Sequence, residues 1–107
     1  MDNNILQNLI FDIGESAAHR IFEIYKTEAT YHLDNIAKGL DCDDFDLIEN
    51  ESHALKSASY NFGLTQIGDA MALVEKAARR KNSEQIVDII ADVSNFYKTE
   101  ISKIRIL

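Results

Sequence analysis

No proline interrupts the 107 residues of this chain, and only four glycines loosen it, at positions 14, 39, 63 and 68. Proline breaks a helix by removing an amide donor and crowding the preceding turn, and glycine commonly ends one in a left-handed residue. A chain so poor in both can form long helices that stop only at a glycine or a capping side chain.

The apolar residues recur at helical spacing. Asn3 to Phe11 is short and apolar at Ile5, Leu6, Leu9 and Ile10, and is expected to form a short extra helix across one end of the molecule. Gly14 gives a break. From Glu15 to about Lys38 the stripe is Ala17, Ile21, Ile24 and Tyr25, continued by Ile36 and Leu40, with Gly39 as the stop. Asp41-Cys42-Asp43-Asp44 reads as a loop ending in a helix N-cap, because a short carboxylate accepts from the free amides of a first turn. A second helix spans Phe45 to Phe62 and stops at Gly63. A third spans Leu64 to about Lys81 with Leu64, Ile67, Met71, Val74 and Ala78 on one stripe. Asn82 and Gln85 form a capping-box-like start for the last helix, whose stripe is Ile86, Ile89, Ile90, Val93, Phe96, Tyr97, Ile101 and Ile104. Four amphipathic helices joined by short connections predict an all-α, antiparallel up-and-down four-helix bundle with the short N-terminal helix added.

A chain of this length is expected to be one domain over residues 1–107, with 46% hydrophobic and 27% charged residues giving an ordinary globular balance. The net charge of −7 argues against nucleic acid and against an anionic membrane surface, both of which need clustered Lys and Arg. Cys42 is the only cysteine, so no internal disulfide forms, as suits a reducing compartment. The start, Met1-Asp2-Asn3-Asn4, lacks the basic region and apolar run of a signal peptide, and no run approaches the ~20 apolar residues of a bilayer span. A cytoplasmic location is therefore expected.

The helix from Phe45 to Phe62 carries the chemistry. With Leu55 at the centre of the buried stripe and about 100° per residue, Ile48, Ser59 and Phe62 fall within about 40°, and Ser52 near 60°. His53 lies about 160° away, on the solvent side, with Asp46, Glu49, Asn50, Ser57 and Tyr60 on the same polar half and Lys56 at its border. His53 and Lys56 are three apart and so are neighbours on the helix surface. Ala54, Ser57 and Ala58 are small and leave the imidazole open to a partner. Neutral imidazole is a nucleophile, and a phosphorylated ring carries negative charge that a neighbouring ammonium would hold. Position alone does not separate this from a solvated histidine beside a solvated lysine.

The stretch His53-Ala54-Leu55-Lys56-Ser57-Ala58-Ser59, followed by Phe62-Gly63, resembles the histidine phosphotransfer (HPt) domain family. It looks closest to the stand-alone phosphotransfer proteins of bacterial quorum-sensing relays, which also have serine after the lysine. Leu73, Glu75 and Arg79 sit where that family's next helix usually has a leucine, a glutamate and an arginine.

The resemblance implies a phosphorelay intermediate without kinase activity of its own. It would accept a phosphoryl group from a receiver-domain aspartate and pass it to another receiver. His53 matches the phosphorylated histidine, Lys56 the lysine that steadies the phosphate, and Gly63 the glycine that lets the next helix pack closely. Partners would be the receiver domains of hybrid histidine kinases and response regulators. The receiver would supply its own Mg²⁺, so this chain is expected to need no cofactor and to act as a monomer. Glu49, Ser57, Tyr60, Leu64 and Gln66 are expected on the docking surface, with Tyr60 and Leu64 as exposed apolar contacts. Ser57 stands where many members have glycine, a change small enough to tune docking rather than abolish it.

Other chemistries fit less well. A bundle metal site needs a Glu-x-x-His motif on each of two helices, and none of His19, His32 and His53 has a glutamate three places before it. His19 and His32 are expected to be ordinary helix-surface residues. Cys42 sits among acids that disfavour its thiolate. The alternative function is a non-catalytic helical adaptor or receiver-binding inhibitor with an incidental histidine. A piece of a larger histidine kinase is less expected, since the chain starts at Met1 and looks complete at Leu107.

Overall fold

A computed structural model describes residues 14–102 and places four helices there: α1 (Glu15–Asp41), α2 (Phe45–Asn61), α3 (Thr65–Arg79) and α4 (Ser83–Ser102). The expected helix over Asn3 to Phe11, and Ile104 of the last stripe, lie outside the described residues. Side-chain pairings give the directions. Tyr25 meets Ser59 and His32 meets Glu51 across α1 and α2. Lys56 meets Glu75 and Tyr60 meets Asp69 across α2 and α3. Residue numbers rise on one helix as they fall on the next, so neighbours are antiparallel, as the short connections require.

The core is apolar and continuous. Ile36, Ile48, Leu55, Leu64, Ile67, Met71, Val74, Ile86 and Val93 are fully or almost fully buried. The stripe read for α3 is the buried one, and so is that for α2. The stripe read for α1 is partly wrong. Ile21 and Ile24 are 39% and 50% exposed, and the buried residues are Ala18, Phe22, Tyr25, Ala29 and Ile36. The aromatic residues decide the phase. Phe22 and Tyr25 pack against Phe62 with ring centroids 5.7 and 5.1 Å apart, burying more area than two isoleucines and gaining ring–ring contacts.

All three connections turn in the same way. Asp43, Gly63 and Lys81 take left-handed conformations with φ of 55°, 72° and 56°. The amide of the next residue then reaches back: Asp44 to Gly39 O, Leu64 to Ser59 O and Asn82 to Ala77 O, each at 2.9 Å. These bonds satisfy carbonyls that a helix end leaves without partners. Asp43, not Gly39, therefore ends α1, which runs on to Asp41. Gly39 serves close packing instead: a Cβ there would sit 2.6 Å from Ile48 Cγ1.

The following helices are capped in three different ways. The Asp44 carboxylate accepts from Leu47 N at 3.1 Å, as its sequence predicts. Asn82 accepts from Gln85 N at 3.1 Å. Gln85 answers through the Asn82 side-chain amide at 3.4 Å. Helix α3 follows Leu64, which offers no capping side chain. Glu100 of α4 supplies the acceptor from across the bundle: its carboxylate, 1% exposed, takes the Ile67 amide at 3.2 Å.

Candidate functional site

Helix α2 has two faces of different character. Inward, Ile48, Ser52, Leu55 and Ser59 are buried. The two serines carry no unmet polar atom, since Ser52 Oγ donates to Ile48 O at 2.7 Å and Ser59 Oγ pairs with Tyr25 OH at 2.8 Å. Outward, the His53 side chain is 61% exposed. The phase set by Leu55 is thus the one the sequence predicts, and it delivers an open imidazole.

One edge of that imidazole is tied down. His53 Nδ1 lies 2.8 Å from Glu75 Oε2, and Lys56 Nζ lies 2.7 Å from Glu75 Oε1. Arg79, one turn beyond Glu75 on α3, donates to Glu75 Oε2 at 3.1 Å and to Glu49 Oε2 at 2.7 Å. Glu75 is only 5% exposed, yet its carboxylate faces three donors. The Lys56 hydrogen bond holds its pKa below the ordinary carboxylate value. Burial pushes the other way, and the His53 hydrogen bond adds to the lowering.

An ionised carboxylate only accepts, so the hydrogen between His53 and Glu75 belongs to Nδ1. The network therefore places a hydrogen on Nδ1, so that the tautomer it selects for a neutral ring has its Nε2 lone pair on the exposed side. The surroundings are small or polar. Ser57 is exposed and Ala54 half-buried beside the ring.

The other expected site residues divide. Lys56 is present but engaged with Glu75, with its side chain 25% exposed. Glu49 is half-buried and paired with Arg79, while Gln66 is exposed. Tyr60 is 38% exposed, and its hydroxyl donates to Asp69 Oδ1 at 2.6 Å. Leu64 is not an exposed contact: it is fully buried. The left-handed residue at Gly63 turns the chain so that the following side chain folds back on the helix it has just left, where an apolar residue commonly packs.

Gly63 itself is needed for its positive φ. A close approach between α2 and α3 also occurs at Gly68, where a Cβ would overlap the Tyr60 ring. His32 is also more than a surface residue. Its Nδ1 lies 2.5 Å from Glu51 Oε2, and the two side chains are 17% and 16% exposed. His19 is exposed, as expected.

Glu75 is the main residue that reading the helix faces did not assign to the site. It lies next to the buried Val74 on the flank of the α3 stripe, where an acid looks like a boundary residue. Its spacing of four from Arg79 is the one local hint. Its partners are 19 and 22 residues away on another helix, beyond the reach of any single-helix pattern.

Among the described residues no three of His, Cys, Asp and Glu gather as a metal site. No helix there is long and apolar enough to cross a membrane. A model of the Hpt domain family matches residues 20–105, a stretch that holds every residue of the site just described. No curated protein and no solved structure gives a significant match. A family match over most of the chain, on a four-helix scaffold with the motif histidine facing outward, leaves one assignment: this chain belongs to the Hpt domain family, the helical phosphotransfer modules of two-component phosphorelays.

Proposed function

We propose that His53 Nε2 accepts a phosphoryl group from a receiver-domain aspartyl phosphate and delivers it to the aspartate of another response regulator. The observation that carries this reading is an exposed imidazole whose Nδ1 is held by a buried, ionised glutamate. A ring fixed in this way presents Nε2 without having to select its tautomer or orientation at the moment of attack.

The step balances simply. The Nε2 lone pair attacks phosphorus, the bond from phosphorus to the aspartyl oxygen breaks, and its electron pair leaves with the receiver's carboxylate. The phosphorylated ring keeps the Nδ1 hydrogen and becomes cationic. The Glu75 carboxylate at 2.8 Å offsets that charge. Transfer to the next receiver runs the same bonds in reverse.

Lys56 is the residue to hold the phosphoryl oxygens. Its ammonium rests on Glu75 Oε1, one helical turn from His53, and its four-carbon stem lets it swing outward when charge arrives. Ser57 borders the ring without closing it. Glu49, Tyr60 and Gln66 surround the histidine as the docking rim. Mg²⁺ belongs to the receiver's acidic pocket in this reading, and the chain works as a cytoplasmic monomer without a cofactor or kinase activity of its own.

The test is to incubate the protein with a phosphorylated receiver domain and follow the label. Acid-labile, base-stable phosphate on the wild type, absent from His53→Gln, is the expected result. Label that persists in His53→Gln would move the chemistry to another residue and overturn the assignment.

A further inference from the structure

Tyr60 is an aromatic side chain on the exposed half of α2, yet it is held at two points. Its ring lies on α3 where Gly68 has no side chain, so closely that a Cβ at Gly68 would overlap three ring carbons. Its hydroxyl donates to Asp69, the next residue along, at 2.6 Å. Neither contact buries the ring, which leaves Tyr60 38% exposed. Gly68 is buried in turn, and it is a glycine inside a helix, where alanine would favour the helix by about 1 kcal/mol. The turn before it needs no glycine, since Gly63 supplies the left-handed residue there. The absent methyl at position 68 therefore has one visible use, to seat the ring.

The ring also stands in the right place. Tyr60 follows His53 by seven residues, two turns on nearly the same face and about 10 Å along the helix axis. A standard protein interface covers about 800 Å² per partner, a disc roughly 16 Å in radius. Any receiver that brings an aspartate to His53 covers Tyr60 as well. An aromatic side chain already fixed in place loses little freedom on binding and makes an efficient anchor.

We propose that Gly68 and Asp69 are positioning residues that hold Tyr60 as a fixed aromatic post beside His53, and that this post anchors the receiver docked at His53. The proposal rests on the phosphotransfer reading above, because it concerns docking to the same site. Gly68 and Asp69 touch no reacting atom and act through the ring. The hydrogen bond to Asp69 raises the Tyr60 phenol above its ordinary value, which gives the post a spectroscopic handle.

The experiment compares wild type, Gly68→Ala, Tyr60→Ala and the double variant. Transfer is measured from purified receiver domains charged with acetyl phosphate. Phosphoramidate serves as a second, small donor that needs no docking. Gly68→Ala is expected to raise KM for the receiver about tenfold in the wild-type background and to change nothing in the Tyr60→Ala background. Asp69→Asn is expected to bring the phenol titration down toward that of free tyrosine. Equal losses from Gly68→Ala in both backgrounds, or an equal loss with phosphoramidate, would show that Gly68 does not act through the docked ring. Wild type that takes no label at His53 from either donor would instead sink the phosphotransfer reading and this proposal with it.

Discussion

Two histidines in this bundle make the same pair. His53 sets Nδ1 against Glu75 on the following helix, and His32 sets Nδ1 against Glu51 on its own following helix. The chemistry is shared and the exposure is not. In the first pair the histidine is 61% exposed and its glutamate 7%; in the second both partners are near 16%. A buried acid under an open ring fixes that ring while leaving its far edge free to meet a partner. An acid and ring buried together tie two helices. Which side chain of the pair faces water decides its role, and the helix phase decides which side chain that is.

Four measurements bear on that contrast. The largest effect separates the two rings: His53→Gln should abolish phosphoryl labelling, while His32→Gln should keep it and lose about 1–2 kcal/mol of stability through an unpaired, half-buried acid. Labelling lost from both variants at full stability would erase the distinction. Next comes the phase itself. Leu55→Ala should cost about 2–5 kcal/mol by denaturant unfolding, because it opens a cavity two residues from an outward histidine. A cost near zero would mean that α2 is rotated and His53 faces inward.

Third is the orienting acid. Glu75→Gln should slow transfer by about ten- to a hundredfold, since an amide neither fixes the tautomer nor offsets the cationic ring. The same variant carries a pH signature. The Glu75 pKa is lowered by folding, so its contribution to stability is present above the ordinary value of 4.5 and is lost as pH falls through the lower folded value. Acid unfolding of Glu75→Gln should show a shallower slope in that window than wild type. A slope unchanged from wild type would place the carboxylate outside the network. Smallest in stability is Lys56→Ala, expected to stay within about 0.5 kcal/mol of wild type because a partly exposed ion pair is worth little. It should still slow transfer severalfold, and an unchanged rate would remove Lys56 from the mechanism.

The sequence carries some of this plainly. Helix α2 alternates sharply between apolar and polar faces, so Leu55 inward and His53 outward follow from one projection. Helix α1 is apolar on more than one face, and counting isoleucines there favours Ile21 and Ile24 over Phe22, which packs beside the correctly read Tyr25. Leu64 fails for a different reason. Its burial comes from the turn at Gly63, and a rule for the residue after a left-handed cap would have placed it correctly. Glu75 and Glu51 are the least legible, because each finds its histidine on another helix. Gly68 is similar: nothing local reveals that the space it leaves is filled by a ring eight residues earlier.

The Glu100 carboxylate bears on the order in which the molecule is made. The first turn of α3 has no side-chain cap of its own and takes its acceptor from near the end of α4. That turn ends at Gly68 and leads directly to Asp69, the two residues that seat Tyr60. A growing chain that has emerged only as far as α3 already contains His53, Lys56 and Glu75, but its third helix would fray at the start until the last one docks. The face that carries Tyr60 is therefore complete only once the fourth helix has packed against the third.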